Sequence, residues 1–288
     1  MKLALGTAQF GLAYGIANTG GQVTADAAEK ILSRARAAGM DTIDTAVAYG
    51  ESEQRLGEAG VGGWHVVSKL PAIPDDCADV QGWVTTHVDA SLARLKVPRL
   101  RGLLLHRPGQ LLEANGRQLY QALLQLKDTG KVEKIGISIY EPSELDDLYE
   151  HHVFDLIQAP LNVLDRRLVS SGWLQRLHAE GIEVHTRSAF LQGLLLMPRT
   201  ALPVWFEQWP EVWNWWYQWL SDHHVSALQA CLAYPLSLAG VHRVVVGADN
   251  LNQLAQIISA AALLRPADLP DLQLADEKLI NPARWSLS

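Results

Sequence analysis

Asp41-Thr42-Ile43-Asp44-Thr45-Ala46-Val47-Ala48-Tyr49-Gly50-Glu51-Ser52-Glu53-Gln54-Arg55-Leu56-Gly57 contains a strand, a turn and the start of a helix. Thr42, Ile43 and Thr45 are β-branched, which suits a pleated strand, and Asp44 ends the run. The small residues from Ala46 to Gly50 make a turn, and a polar helix start follows. An unpaired carboxylate at a buried strand end is costly. Asp44 therefore calls for a cationic partner from elsewhere in the chain. Tyr49, in the turn, carries a phenol that can give or take a proton when a neighbouring charge favours its ionised form.

Outward from this stretch the chain alternates. Leu3–Thr7 is a short apolar run. Thr24-Ala25-Asp26 opens a helix with Ala28, Ile31, Leu32 and Ala35 on one face, closed by Gly39. His65–Lys69 is a third strand, and residues 81–95 a helix with Val84, Val88, Leu92 and Leu95 at helical spacing. Arg101–His106 is a fourth strand, stopped by Pro108, and Gln118–Asp128 a helix with Gly130 just past its end. Ile135–Ile139 and Phe154–Gln158 are strands separated by a short helix, Pro142–Tyr149. Residues 171–180 are helical, and Ile182–Ser188 is a seventh strand. A long insertion precedes a helix at about 223–239. His242–Gly247 is an eighth strand, and residues 251–263 an eighth helix.

Eight strands, each followed by a helix, predict an α/β chain folded as a single (β/α)8 TIM barrel over residues 1–288. Its additions are a Trp-rich insertion at about 198–222 and a C-terminal tail at about 264–288. No Pro/Ser/Gly linker divides the chain. The rival, an open doubly wound sheet, is usually announced by a GxGxxG turn after the first strand. Here that strand runs into Gly6-Thr7-Ala8-Gln9-Phe10-Gly11, which lacks the spacing.

The 288 residues are 48% hydrophobic and 19% charged, with a formal net charge of −7. That composition implies a large core, and the charge disfavours a nucleic-acid partner. Cys77 and Cys231 stand in no CxxC or metal-ligand spacing and suit a reducing cytosol. No signal-peptide core or membrane-length apolar run is present, so the expectation is a cytoplasmic protein with no membrane partner.

In a (β/α)8 barrel, chemistry gathers at the C-terminal strand ends. The second strand supplies Asp44 and, in its loop, Tyr49. The third supplies Lys69 and the fourth His106. Lys69 is thus the expected partner of Asp44. Strand-end His and Asp residues form no recognisable multi-ligand metal set, so no metal is expected.

This pattern resembles the aldo/keto reductase superfamily over nearly the whole chain. Gly39, Asp44-Thr45-Ala46, Tyr49-Gly50, Glu53 and Leu56-Gly57 match the family's second-strand motif in register. Lys69 in Val-Ser-Lys-Leu and His106 in Leu-Leu-Leu-His-Arg-Pro are similar to its other two catalytic positions. The resemblance continues in Ser138, Gln158, Asn162, Arg187–Gly193 and Gly247–Asn250. It implies hydride transfer between a nicotinamide cofactor and a small-molecule carbonyl or alcohol. Tyr49 would be the general acid, Lys69 held by Asp44 would favour the phenolate, and His106 would orient the carbonyl.

For the cofactor, the resemblance implies contacts from Gly6 and Thr7, and a carboxamide held by Ser138, Gln158 and Asn162. Arg187 would stack where many members carry tyrosine. Ser188, Leu191 and Gly193 would lie along the pyrophosphate, and Gly247, Asp249 and Gln253 near the adenosine. The family default is NADP(H). Asp249 stands where many relatives carry Arg or Lys, and a carboxylate favours a ribose hydroxyl over a phosphate, which makes NAD(H) possible. Gln256-Ile257 replace a familial acidic-Asn pair, and Arg243 or Arg265 could compensate.

Six of the ten tryptophans lie in the insertion: Trp205, Trp209, Trp213, Trp215, Trp216 and Trp219. Two readings stand. They wall a substrate pocket on the catalytic face, or the helical spacing of 209, 213 and 216 packs them on the barrel or a second subunit. Two further functions also stay open. One is a regulatory or redox-sensing subunit that binds cofactor with little turnover. The other is an oxidoreductase of sugar or polysaccharide metabolism, suggested by the opening stretch from Leu5 to Asn18. The oligomeric state is not legible.

Overall fold

In the computed structural model, which describes residues 1–263 and 272–286, eight strands pair in parallel and close on one another in sequence order. They are β1 (Leu3–Gly6), β2 (Thr42–Asp44), β3 (His65–Leu70), β4 (Leu100–Leu105), β5 (Val132–Ser138), β6 (Leu156–Pro160), β7 (Glu183–Arg187) and β8 (Arg243–Val246). The last strand closes the barrel through Leu3 opposite Val244 and Leu5 opposite Val246. The fold is the (β/α)8 barrel expected from the alternation.

Among the described residues the main helices are α1 (Ala25–Ala37), α2 (Ser52–Ala59), α3 (Val80–Leu95), α4 (Gly116–Asp128), α5 (Ser143–Leu148), α6 (Trp173–Ala179), α7 (Pro210–Asp222), α8 (Ala227–Ser237) and α9 (Leu251–Ala262). Their inner faces pack against the outward face of the strands. The inward face is organised by the two-residue period of a strand. Val67, Leu104 and Leu156 form a small buried apolar cluster of their own. Two residues further along each strand direction stand Lys69, His106 and Gln158. The apolar plug thus forms a floor for the polar groups at the mouth, and it keeps water away from them from below.

Some boundaries differ from the expected ones. β6 runs to Pro160, past the expected end at 158, because its pairing with β7 continues to Pro160 opposite Arg187. His106 lies just beyond β4, yet its backbone N–H still donates to the Leu70 carbonyl at 3.1 Å. The expected helix at about 223–239 begins later, at Ala227, and a separate helix, α7, occupies the insertion before it. Pro210 in the first turn of α7 loses no needed N–H. His224 then turns the chain with a positive φ of 51°. Ser226 and Gln229 cap each other reciprocally and start α8.

Five of the six insertion tryptophans pack, while Trp215 is exposed. Trp213, Trp216 and Trp219 are buried along one face of α7. Trp216 Nε1 donates to the Leu195 carbonyl and Tyr217 Oη to that of Met197, tying α7 to the segment after β7. Phe206 meets the Trp285 ring edge-on at 4.9 Å, and Trp209 Nε1 donates to Asp276 Oδ2 at 2.9 Å. The tail thereby docks on the insertion. Within the expected tail, Glu277–Ile280 forms one helical turn, while residues 264–271 and 287–288 lie outside the described residues. No helix among the described residues is long and apolar enough to cross a membrane.

Candidate active site

Asp44, Lys69, His106 and Tyr49 meet at the barrel mouth. Lys69 Nζ donates to Asp44 Oδ1 at 2.6 Å, to the Thr45 carbonyl at 3.0 Å and to Tyr49 Oη at 3.4 Å. Lys69 and Asp44 are 1% and 4% exposed. Burial alone would discharge the lysine, but the Asp44 carboxylate outweighs it, helped by Tyr49. Together they raise the ammonium above its ordinary pKa and hold the proton on it.

Tyr49 is placed by a close crossing of two loops. Gly50 has a φ of +55°, and a Cβ there would come within 2.6 Å of the Gly11 carbonyl oxygen. A Cβ on Gly11 would in turn meet the Tyr49 carbonyl oxygen. Buried hydroxyls lock the crossing. Ser52 Oγ donates to the Thr7 carbonyl at 2.8 Å and sits 3.1 Å from Thr45 Oγ1, while Thr7 Oγ1 donates to the Asp44 carbonyl at 3.0 Å.

His106 stands edge-on to Tyr49 with ring centroids 6.2 Å apart. Burial, reinforced by the charges of Lys69 and Arg187, lowers its pKa to about 4. The imidazole is therefore neutral at physiological pH and retains one N–H donor.

Gln158 and Ser138 form the far wall. Gln158 Nε2 donates to Asp44 Oδ2 at 2.7 Å across the barrel, and Ser138 Oγ donates to Gln158 Oε1 at 3.3 Å. Each oxygen of Asp44 thus has its own donor. Both side chains are buried, Gln158 completely. Asn162 also bonds within its own loop. Its amide accepts from the Leu164 and Asp165 N–H groups at 2.9 Å and donates to the Ser188 carbonyl at 3.1 Å. It is fully buried, and one of its two amide N–H donors remains uncommitted.

Above Tyr49 opens a cavity of about 490 Å³, within the usual range for small-molecule sites. Of the residues singled out from sequence, Gly6, Thr7, Asp44, Tyr49, Arg187, Ser188, Gly193, Gly247, Asp249 and Gln253 line it. Leu191 does not, because its side chain is fully buried in the apolar core. Arg187 stacks on Tyr140 at 4.6 Å, so one face of its guanidinium is already covered. At the opposite end Gln253 clasps Asp249, accepting from its backbone N–H at 2.8 Å and donating to its carboxylate at 3.2 Å. Gln256 and Ile257 line the cavity there, while Arg243 pairs with Asp41 at the other end of the barrel. Arg265 lies outside the described residues.

The sequence reading missed Gln9, Tyr14, Asn18 and Gln192, which also line the cavity. The segments bearing them touch. A Cβ on Gly193, whose φ is +92°, would stand 2.6 Å from Ala17 Cβ. The loops after β1 and β7 thus meet over the cavity. The available signal was position, since Tyr14 and Asn18 follow β1 on the catalytic face.

A model of the aldo/keto reductase family matches residues 2–277. An aldo-keto reductase of Mycobacterium sp. strain KMS is 31% identical over 185 residues, which span 61% of this chain and 63% of that protein. An uncharacterised oxidoreductase of Bacillus subtilis is 26% identical across 80% of this chain and 81% of its own length. Among solved structures, an aldo-keto reductase of Bacillus halodurans superposes with a TM-score of 0.74 at 19% identity, covering 94% of this chain and 89% of that one. A glycerol dehydrogenase of Gluconobacter oxydans gives 0.69 at 22%, covering 92% and 87%. At such identities the superpositions speak for the fold alone. The family match spans nearly the whole chain and includes the residues gathered at the barrel mouth: the chain belongs to the aldo/keto reductase family.

Proposed function

We propose that the protein transfers a hydride between a nicotinamide cofactor and a small-molecule carbonyl or alcohol. The observation that carries this is the Asp44–Lys69–Tyr49 chain of contacts, which ends on a phenol at the bottom of a cavity. The cavity's donor set fits a dinucleotide. Its polar lining is made of neutral amides, hydroxyls and close glycine backbone set among apolar side chains, with the Arg187 guanidinium and the carboxylates of Asp44 and Asp249. A Cβ at Gly247 would meet the Gln9 side chain at 2.4 Å, so the bare backbone keeps that part of the cradle open. Gly6, Thr7, Ser188, Gly193, Gly247, Asp249 and Gln253 are the residues that would hold the cofactor. When bound, its nicotinamide supplies or accepts the hydride.

The chain's own groups handle the proton. Tyr49 gives its hydroxyl proton to the carbonyl oxygen as negative charge develops there. The Lys69 ammonium, 3.4 Å away, stabilises the phenolate left behind. Asp44, gripped by Gln158, keeps Lys69 charged and aimed. Neutral His106 donates a hydrogen bond to the same oxygen and fixes its direction.

The adenosine end favours NAD(H) over the familial NADP(H). Among the described residues lining the cavity the only basic one is Arg187, whereas Asp249 stands at the far end. A carboxylate repels a phosphate and accepts hydrogen bonds from a ribose hydroxyl. The partner in this reading is a small carbonyl compound, with no nucleic acid or membrane. Free Cys77 and Cys231 fit a reducing cytoplasm.

The test is carbonyl reduction by the wild type and by Tyr49→Phe, with cofactor binding followed by fluorescence. The variant should lose at least ~10²–10⁴ of turnover and keep its affinity for the nucleotide. Nucleotide binding without turnover by the wild type would instead indicate a regulatory subunit.

A further inference from the structure

Arg187 is a cation lining the cavity that pairs with no carboxylate among the described residues. Lys69, the other cation at the mouth, is paired with Asp44. Among the described residues no carboxylate lies within ion-pair distance of Arg187. Its Nη1 donates to Ser188 Oγ at 3.3 Å and its Nη2 to the Ile139 carbonyl at 3.0 Å. Both acceptors are neutral, and the rest of its planar donor fork stays free. Stacking on Tyr140 holds that plane in place, which lowers the entropy lost when a planar anion docks.

The charge also lies at the reacting end of the cavity. Arg187 acts electrostatically on His106 and on Tyr14, the second phenol of the mouth, which in turn senses Tyr49 and Lys69. Asp249, the carboxylate that could have answered it, lines the adenosine end and is clasped by Gln253. With Lys69 and Asp44 cancelling, the catalytic end carries one net positive charge. A ligand that fills the cavity displaces the water now solvating this guanidinium. A neutral ligand would strand the charge, which is costly. An anionic ligand would pair with it in a bidentate, charge-assisted contact.

We propose that Arg187 is the specificity-determining residue of this site and that the substrate carries a carboxylate or phosphate group close to its reacting carbonyl. The assignment rests on the hydride-transfer reading above and narrows its substrate class to anionic carbonyl compounds. One charge-assisted hydrogen bond of this kind discriminates by about 10- to 100-fold.

The test compares ortho-, meta- and para-carboxybenzaldehyde, each with its methyl ester, as substrates for the wild type, Arg187→Lys and Arg187→Met. In parallel, benzoate and benzamide are titrated calorimetrically, and nicotinamide nucleotide affinity is measured by fluorescence. The expected result is an acid preferred over its ester by about 10- to 100-fold in kcat/KM. Arg187→Met should erase that preference by lowering kcat/KM for the acids about 10- to 100-fold more than for their esters, and Arg187→Lys should keep part of it. Benzoate should bind the wild type more tightly than Arg187→Met, with benzamide unaffected.

The proposal falls if esters are reduced as well as acids throughout, or if Arg187→Met lowers both alike. It falls equally if the variant weakens only the nucleotide, which would assign the guanidinium to the cofactor's phosphates. Should the wild type reduce none of these compounds yet bind benzoate through Arg187, the anion site stands and the hydride-transfer reading fails. Equal benzoate binding by both proteins, or none, removes the anion site.

Discussion

Replacing Lys69 by methionine removes the ammonium from a pair separated by 2.6 Å, with both side chains at most 5% exposed. At that distance and an effective dielectric of about 20, the gross attraction is about 6 kcal/mol. Desolvation offsets much of it, and breaking a buried pair costs ~3–5 kcal/mol because the surviving charge is stranded. Asp44 would keep the Gln158 donor on one oxygen and lose its partner on the other. At roughly 2 °C per kcal/mol for a chain of this size, the melting temperature should fall by about 6–10 °C. Turnover should fall with it, since nothing then stabilises the phenolate of Tyr49. The informative variant is the double one, Asp44→Asn with Lys69→Met. It removes both charges and leaves a neutral amide that Gln158 can still bond, so most of the lost stability should return. Activity should not. Thermal and urea unfolding, followed by tryptophan fluorescence and circular dichroism, measure the first quantity, and carbonyl reduction measures the second. A double variant as unstable as Lys69→Met would show that the stranded carboxylate is not the source of the loss. Recovery of turnover in the double variant would show that the ammonium is not needed for chemistry.

Other outcomes follow from the same geometry. His106 binds its proton near pH 4 when folded and near 6.5 when unfolded. The unfolded chain therefore takes up more protons between those values, and stability should decline as pH falls from 6.5 toward 4, by at most about 3 kcal/mol. In His106→Gln that part of the acid sensitivity should vanish from pH-dependent urea unfolding. Asp249→Arg should shift affinity from NADH toward NADPH in fluorescence titrations, and an unshifted ratio would remove Asp249 from the adenosine end. Trp216→Ala empties a fully buried position on α7 and should cost about 3–5 kcal/mol by denaturant unfolding. Because no tryptophan among the described residues lines the cavity, its KM values should stay within about two-fold of wild type.

The framework of the site was legible because strand ends announce themselves. A β-branched run closed by Asp44, or an apolar run closed by Lys69 or His106, fixes both the element and the rim on which its last residue stands. Contacts that depend on how distant loops settle were not legible. Gln158, expected to hold a carboxamide, also grips Asp44 on the opposite wall, 114 positions away in the chain, a contact that spacing does not show. Asn162, expected beside it, also accepts hydrogen bonds from its own loop, which spacing does not reveal. The tryptophans of α7 allowed either a pocket wall or a packing face, since helical periodicity shows that a face is buried and not what covers it. Tyr14 and Arg187 are single polar residues outside the quoted second-strand motif. Their importance comes from the three-dimensional charge balance at the mouth.

The Asp44–Gln158 hydrogen bond has a consequence for how activity is gained and lost. One partner belongs to the first four strands and the other to the last four. The proton-handling residues Asp44, Tyr49, Lys69 and His106 all stand in the first half, but Asp44 Oδ2 gains its Gln158 donor only when the second half has docked. Partial opening of the seam between β8 and β1, or slippage anywhere around the ring, should extinguish catalysis before the secondary structure melts. Enzyme activity would then report ring closure earlier than circular dichroism does.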